Sequence, residues 1–262
     1  MNNRIVNTFT KLKKNREKAL VAFITGGDPD IETTEKLVLA MEEAGGDLIE
    51  IGIPFSDPIA EGIVIQEASA RALAGGCTVD KLFDMVKRLR KKTNIPLLFM
   101  TYANPIYAYD KERFMAKCKE VGIDGIIVPD MPFEEKDELE EECNRYDMCL
   151  ISLIAPTSGK RAEEIALEAQ GFLYCVSSLG VTGTRNKINT NISELITQVK
   201  DVSSIPCAVG FGISTPEQAR DMAEISDGVI VGSAIVKLIA KFGKDSVAPV
   251  KDFVSKMKNT LN

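Results

Sequence analysis

The chain has 262 residues, of which 45% are hydrophobic and 27% are charged, and its net charge is −6 at pH 7. This composition is typical of a globular protein and excludes a mainly disordered chain or a small disulfide-stapled one. The acidic balance disfavours general nucleic-acid binding, which needs a basic surface. No apolar run approaches the roughly 20 residues of a membrane-spanning helix. We therefore predict a single domain over residues 1–262, with neither nucleic acid nor a membrane as a partner.

The chain contains no histidine and six cysteines, and both counts restrict the chemistry. Without histidine there is no Ser-His-Asp triad and no histidine metal site, so acid–base catalysis falls to carboxylates, Tyr, Lys or Cys. The cysteines form no CxxC pair, which argues against a zinc or redox motif, and we expect buried, reduced thiols. No metal site is expected. The lack of a signal peptide favours a cytoplasmic location.

The first predicted element is an amphipathic helix, because Ile5, Phe9 and Leu12 recur at helical spacing in a basic segment. A transit peptide is the alternative, but no Ser-rich or cleavage-like stretch follows. Eight short Val- and Ile-rich runs then predict strands buried on both faces. These strands span residues 19–24, 48–53, 96–101, 125–128, 150–154, 173–176, 207–209 and 228–231. Amphipathic segments predict helices over residues 32–44, 80–92, 111–121, 134–146, 160–169, 192–202, 215–225, 234–242 and 247–261.

The regular alternation of strands and helices decides the fold class. Eight strand–helix units in about 250 residues are typical of a (β/α)8 TIM barrel. A doubly wound open sheet also alternates strands and helices, but eight regular units without a linker favour closure. We therefore predict an α/β TIM barrel with an extra N-terminal helix. Its chemistry is expected at the C-terminal ends of the strands.

Two acidic residues lie close to the end of the second predicted strand. Glu50 interrupts a run of apolar residues, and a charge within a buried strand is costly. It is either a structural carboxylate held by hydrogen bonds or a proton-transfer group with a shifted pKa, and we favour the second interpretation. Glu61 follows in the next loop. Alone it would be a solvated charge, but two carboxylates at one mouth suit proton transfer.

Glycine residues follow the last three predicted strands, in residues 177–183, 210–214 and 232–234. Glycines allow backbone N–H groups to approach an anion closely, and the N-terminus of a following helix adds a favourable dipole. The loops after strands 7 and 8 form the usual phosphate site of TIM barrels. Plain tight turns are the alternative. The sequence has no P-loop and no dinucleotide-binding fingerprint, so we expect a small phosphorylated substrate.

Motifs along the whole chain resemble the tryptophan synthase alpha subunit family. The most specific is EIGIPFSDP at residues 50–58. The resemblance continues through Ile65-Gln66 and through MTYANP (100–105), VPD (128–130), LIAPT (153–157), GVTG (180–183), GFGIS (210–214) and GSAIV (232–236). It implies a TIM barrel that cleaves indole-3-glycerol phosphate by a retro-aldol reaction. The products would be indole and glyceraldehyde 3-phosphate.

The resemblance also implies partners. No cofactor is expected in this subunit, whereas a beta subunit carries pyridoxal phosphate and joins the indole, delivered through a tunnel, to serine. The expected assembly is a linear alpha–beta–beta–alpha tetramer. The contacts with the beta subunit would come from Pro54, Asp57 and Asn104.

Residue roles follow from the same resemblance. Glu50 and Glu61 match the family's two catalytic carboxylates, and Asp130 matches a positioning residue. Thr182 and Gly183 match a loop that closes over the site and excludes water. The remaining substrate-binding positions are Phe23 and Tyr174 around the indole and substrate chain, Phe211, and Gly183, Gly212, Gly232 and Ser233 around the phosphate.

One segment departs from the family pattern. The family's second carboxylate is usually Asp in Ala-Asp-Gly-Pro, whereas this chain has Ala60-Glu61-Gly62-Ile63. The side chain is one methylene longer, and the loop lacks the restraint of proline. This departure leaves open two alternatives to a fully active alpha subunit: a weakened subunit that mainly activates the beta chain, and a free-standing indole-releasing lyase. Another phosphate-binding barrel, such as a sugar-phosphate isomerase, is a third alternative, but it would not explain the PFSDP motif.

Overall fold

The computed structural model describes residues 3–176, 185–210 and 212–261, except for the side chains of residues 185–190. Within these ranges the chain forms nine strands and twelve α-helices. The strands are β1 Ala19–Thr25, β2 Leu48–Gly52, β3 Leu97–Met100, β4 Gly125–Ile127, β5 Cys149–Ile151, β6 Leu153–Ile154, β7 Leu173–Val176, β8 Cys207–Gly210 and β9 Gly228–Val231. The helices are α1 Arg4–Asn15, α2 Ile31–Glu43, α3 Ile63–Ala74, α4 Val79–Leu89, α5 Ala103–Tyr109, α6 Lys111–Val121, α7 Asp137–Arg145, α8 Arg161–Glu168, α9 Arg185–Val202, α10 Pro216–Ile225, α11 Ser233–Phe242 and α12 Val247–Asn259.

The strands form one parallel sheet in the order β5-β4-β3-β2-β1-β9-β8-β7-β6. Its two terminal strands, β5 and β6, are consecutive in the chain and are separated only by Ser152. They therefore act as one interrupted strand, which pairs with β4 on one side and with β7 on the other. This arrangement closes the sheet into a barrel and confirms the predicted TIM-barrel fold.

Side chains alternate between the inside and the outside of the barrel, as the two-residue period of a strand requires. On β2, Ile49 and Ile51 belong to the large apolar cluster shared with the helices. Leu48 belongs instead to the cluster inside the barrel. Glu50 has the same parity as Leu48. The strand therefore directs its carboxylate into the barrel, where it is fully buried.

Helix α1 closes the N-terminal end of the barrel, as an extra N-terminal helix was predicted to pack on the domain. Ile5, Phe9 and Leu12 pack into the interior cluster, and the Phe9 ring lies 5.4 Å from the Phe172 ring. The Asn3 side chain caps the helix by accepting from the Ile5 N–H. The same side chain donates to the Asp124 carbonyl at 2.7 Å.

The structure differs from the predicted elements in four places. Helices α3 and α5 were not predicted, α9 begins seven residues before the predicted helix 192–202, and the fifth predicted strand is interrupted at Ser152. Helix α3 lacks a recognisable apolar stripe, because its buried face consists largely of small residues, Ala68, Ser69 and Ala72. Helix α5 contains Pro105, which a helix tolerates only in its first turn.

Two further sequence expectations can be compared with the structure. All six cysteines are buried and free, which confirms the prediction of reduced core thiols. In the described ranges, no helix combines the length and apolar character needed to cross a bilayer.

Candidate active site

A cavity of about 670 Å³ opens at the C-terminal ends of the strands. It lies between the loop after β2 and the first turn of α11. Its walls are mainly apolar, and Glu61 and Lys237 are the acidic and basic side chains among the described residues that line it. The predicted site residues that line it are Phe23, Glu61, Tyr174, Gly212, Gly232 and Ser233.

Two aromatic rings shape the apolar part of this cavity. Phe23 and Tyr174 are both almost fully buried. Each ring lies against a glycine on a neighbouring strand. A Cβ on Gly52 would stand 2.8 Å from the Phe23 ring, and a Cβ on Gly210 would stand 2.6 Å from the Tyr174 hydroxyl oxygen. Any larger residue at these two glycines would displace the rings, so the glycines at the ends of β2 and β8 make room for the aromatic wall.

Glu50 lies inside the barrel but does not line the cavity. Its carboxyl is fully buried, and neither of its oxygens hydrogen-bonds to a described residue. Burial raises the pKa of Glu50 to about 8. The charge of Glu50 also contributes to the raised pKa of the buried Tyr174 hydroxyl, after the larger effect of burial. The structural interpretation of Glu50, a carboxylate held by hydrogen bonds, therefore finds no support among the described residues.

Glu61 occupies the loop between β2 and α3 and faces the cavity directly. Its side chain is half-buried, and burial raises its pKa to about 7. Contacts hold its backbone on both sides. The Glu61 N–H donates to the Pro58 carbonyl at 3.1 Å, and the Gln66 side-chain amide donates to the Glu61 carbonyl at 2.7 Å. The apolar setting and the raised pKa distinguish Glu61 from a solvated loop charge.

The part of the cavity wall at the start of α11 has the features expected of an anion site. Gly232 caps α11, and Ser233 begins it. The unpaired backbone N–H groups of a helix's first turn and the helix dipole both favour a negative charge there. Lys237, which the sequence reasoning did not single out, lines the cavity one turn after Ser233. Lys237 follows Ser233 by four residues on α11, and this spacing places the two side chains on the same helix face. That spacing could have identified Lys237 from the sequence.

The remaining predicted residues lie away from the cavity or outside the described ranges. Asp57 and Asn104 are exposed, whereas Pro54 is buried. Two apolar side chains of the same loop region, Ile59 and Ile63, are 86% and 70% exposed. Thr182, Gly183 and Phe211 lie outside the residues that the structure describes.

This geometry suits acid–base chemistry on a substrate with an apolar and an anionic end. Burial favours the protonated form of one carboxyl, Glu50, and a second carboxyl borders the apolar cavity. In the part of the chain that the structure describes, no group of three or more His, Cys, Asp or Glu side chains could hold a metal ion.

Comparisons with known proteins agree with this arrangement. The family model described as tryptophan synthase alpha chain matches residues 9–262. A tryptophan synthase alpha chain of Thermoanaerobacter sp. (strain X514) is 49% identical over 99% of this chain and 100% of its own length. One from Alkaliphilus metalliredigens (strain QYMF) is 48% identical over 100% of this chain and 99% of its own. The crystal structure of tryptophan synthase subunit alpha from Legionella pneumophila (strain Paris) superposes with a TM-score of 0.91 at 39% identity, covering 100% and 99% of the two chains. The chain therefore belongs to the tryptophan synthase alpha chain family.

Proposed function

We propose that this chain cleaves indole-3-glycerol phosphate to indole and glyceraldehyde 3-phosphate. Membership of the family makes it a lyase of tryptophan synthesis. The observation that best supports the specific reaction is the buried Glu50 carboxyl, whose pKa is raised to about 8 beside an apolar cavity that ends in an anion site. Such a carboxyl holds a proton at neutral pH and can donate it to a carbon atom of an aromatic ring.

In the first step, Glu50 donates its proton to C3 of the indole. The carboxyl must turn into the cavity to do so, because Glu50 is not among the residues that line it. Protonation at C3 places a positive charge on the indole ring. The resulting Glu50 carboxylate then accepts the proton of the side-chain hydroxyl next to the ring. The bond between C3 and the side chain breaks, its electron pair returns to the ring, and the hydroxyl carbon becomes the aldehyde.

Glu61 stabilises the charge that develops during this reaction. As a carboxylate it accepts a hydrogen bond from the indole N–H and lies close to the positive ring. The interaction is strongest in the protonated intermediate, so it accelerates the chemical step rather than merely improving binding. Phe23 and Tyr174 hold the ring in the apolar part of the cavity.

The phosphate of the substrate binds at the other end of the cavity. Gly212, Gly232 and Ser233 provide the positions from which backbone N–H groups and a hydroxyl reach the phosphate oxygens. Thr182, Gly183 and Phe211 complete the proposed binding site, on the basis of the family motif alone. The single domain over residues 1–262 that we infer would place all of these residues around one barrel mouth.

The proposed partner is a tryptophan synthase beta subunit, which would hold the pyridoxal phosphate, while this subunit uses no cofactor. We infer an alpha–beta–beta–alpha tetramer in the cytoplasm. The support on this chain is the exposed loop after β2, with Asp57 and Ile59, next to the exposed Asn104 at the start of α5. Pro54 is buried, so it would shape the start of this loop rather than contact the partner itself.

The test is indole release from indole-3-glycerol phosphate by the purified chain, measured with and without a beta subunit. We expect slow release by the chain alone and a large rise in the complex. No release under either condition, with beta binding intact, would contradict the proposal and indicate a subunit that only activates its partner. Full turnover without a partner, and no rise in its presence, would indicate a free-standing lyase.

A further inference from the structure

A hydrogen bond from outside the loop holds the backbone next to Glu61. The Ala60 N–H donates to the Tyr102 hydroxyl oxygen at 2.9 Å, across 42 positions of sequence. Among the described residues, the other hydrogen bonds of residues 57–62 come from the loop itself or from α3, the helix that follows it. Tyr102 therefore connects the loop after β2 to a different strand of the barrel.

Tyr102 is itself firmly placed. It lies two residues after the end of β3, is only 3% exposed and is the N-cap residue of α5. The next residue, Ala103, donates its N–H to the Asp130 carboxylate at 3.0 Å. This contact ties the start of α5 to the loop after β4, and the Thr101 N–H donates to the Ile127 carbonyl of β4 at 3.0 Å, so the backbone around Tyr102 is fixed to the neighbouring strand. Because Tyr102 has little freedom to move, its hydroxyl holds the Ala60 backbone at a defined position.

The ring of Tyr102 contacts the other end of the same loop. Its centroid lies 5.3 Å from that of Phe55, which follows β2. The hydroxyl thus holds Ala60 while the ring packs against Phe55. One side chain braces both ends of the segment that presents Glu61. The Glu61 carboxylate also interacts electrostatically with Tyr102. Burial makes the largest contribution to the raised pKa of Tyr102, and the charge of Glu61 makes the next largest.

We propose that Tyr102 is the positioning residue that sets the location of the Glu61 carboxylate in the cavity. This inference rests on the proposed function, in which Glu61 stabilises the charged indole ring. The contacts of Tyr102 with Ala60 and Phe55, which we call the Tyr102 brace, restrict a loop that is freer in this chain than in the family pattern. Glu61 has one more rotatable bond than the Asp usual in the family, and Ile63 replaces the proline that would stiffen the loop. A fixed backbone offsets part of the extra freedom of the longer side chain.

The Tyr102 hydroxyl does not titrate in the pH range in which the two glutamate carboxyls do. Burial first, and then the charge of Glu61, raise the pKa of Tyr102 to about 12. The hydroxyl therefore remains neutral at the pH values at which the enzyme is assayed. Any pH dependence of the reaction between pH 6 and 9 comes from other groups, so a change in that dependence on mutation of Tyr102 reports on the carboxylates.

The test is a double-mutant cycle on cleavage of indole-3-glycerol phosphate by the alpha–beta complex. Tyr102→Phe removes the hydroxyl and keeps the ring, and we expect kcat to fall by about tenfold or more with KM changed less than about threefold, since small misplacements near the chemistry are costly. In a Glu61→Gln background the same substitution should change kcat by less than about twofold. Equal losses in both backgrounds would overturn the proposal, because Tyr102 would then act independently of Glu61.

Hydrogen exchange provides a readout that does not depend on turnover. The Ala60 amide should exchange at least about tenfold faster in Tyr102→Phe, because its hydrogen bond is lost. Tyr109→Phe on α5 is the matched control, since its hydroxyl donates to Asp80 instead of the loop, and it should leave both readouts unchanged. Unchanged exchange at Ala60 would overturn the brace even if the proposed reaction were confirmed. Faster exchange in a chain without lyase activity would retain the brace and reject the proposed function.

Discussion

The Arg71 guanidinium donates two parallel hydrogen bonds to the Asp28 carboxylate, at 2.9 and 2.8 Å. Asp28 follows β1 and is 1% exposed, whereas Arg71 lies on α3 and its side chain is 37% exposed. Paired donors of this geometry are among the strongest side-chain contacts in proteins. The pair therefore fastens α3, which begins two residues after Glu61, to the neighbouring strand end.

Replacing one member of this pair should destabilise the protein. We expect Arg71→Met to lower the free energy of unfolding by about 2 kcal/mol, below the range for fully buried pairs because Arg71 is partly exposed. Urea denaturation at pH 7 measures the change. Arg88→Met is the control, because Arg88 is about half exposed and its partner Glu35 keeps a second ion pair with Lys92, so the loss should stay below about 1 kcal/mol. Adding Asp28→Asn to Arg71→Met should restore part of the loss, and no recovery would show that the buried charge is not its cause.

The pH dependence of cleavage should show a narrow optimum. Glu50 must be protonated to donate, so activity should fall above its pKa of about 8. Glu61 must be ionised to stabilise the charged ring, so activity should rise as the pH passes its pKa of about 7. The profile of kcat/KM reports the groups of the free enzyme, and we expect its maximum between these two values. A profile that stays flat from pH 6 to 9 would contradict both assignments.

Glu50→Gln separates the catalytic role of Glu50 from its effect on stability. It should lower kcat by at least about 100-fold, the lower end of the contribution of a positioned acid–base group. It should also raise stability at neutral pH. The folded pKa of Glu50 is about 8 and its usual value is 4.5. The unfolded chain therefore loses the proton first, and the stability of the native protein falls as the pH rises from 4.5 to 8.

The glutamine variant is free of this penalty. Denaturation midpoints of the two proteins should agree near pH 4.5 and should diverge by pH 8 in favour of the variant. We expect a difference of at least about 1.4 kcal/mol at pH 8, the equivalent of one pKa unit. A wild-type protein that is the more stable of the two at pH 8 would show that the Glu50 carboxylate has a stabilising partner.

Glu61→Asp tests whether the loop is built for the longer side chain. The backbone on either side of Glu61 is held by Tyr102, Pro58 and Gln66. It cannot follow a carboxylate that is drawn back by one methylene, so kcat should fall by about tenfold or more. Steady-state indole release measures the effect, with Glu67→Asp on the exposed side of α3 as the control. Equal or higher activity in Glu61→Asp would show that the glutamate is a handicap that the loop does not correct.

Lys237 should contribute to the affinity for the phosphorylated substrate. Side chains on a helix lean toward its N-terminus, which directs Lys237 toward the anion site at Ser233. Lys237→Gln should raise KM for indole-3-glycerol phosphate about fivefold, corresponding to about 1 kcal/mol for a charge pair in a solvated setting. The rise should shrink in high salt. Lys241→Gln, one turn further along the same helix, should leave KM unchanged. Equal effects of the two substitutions would assign the change to the net charge of the protein.

The sequence predicted the barrel because its strands are continuous apolar runs and most of its helices carry a broad apolar stripe. The same reasoning failed for α3, whose buried face is built from alanine and serine, and for α5, where Pro105 hides the helix. Glu50 was recognisable because one charge interrupts an apolar run. The role of Tyr102 could not be predicted in this way, because its contact with Ala60 depends on the register between β2 and β3 rather than on any local pattern.

Helix α1 closes the N-terminal end of the barrel. This closure limits the routes by which molecules and protons can reach the barrel interior. Ile5, Phe9 and Leu12 fill the end that lies opposite the cavity. Among the described residues, this packing leaves the C-terminal mouth as the open end of the barrel, so we expect the buried Glu50 carboxyl to exchange its proton with solvent through the cavity. In the proposed reaction, substrate, product and proton would then use the same opening. A partner subunit bound at that opening would limit the access of all three. The rate at which Glu50 regains its proton would then depend on the assembly as well as on this chain.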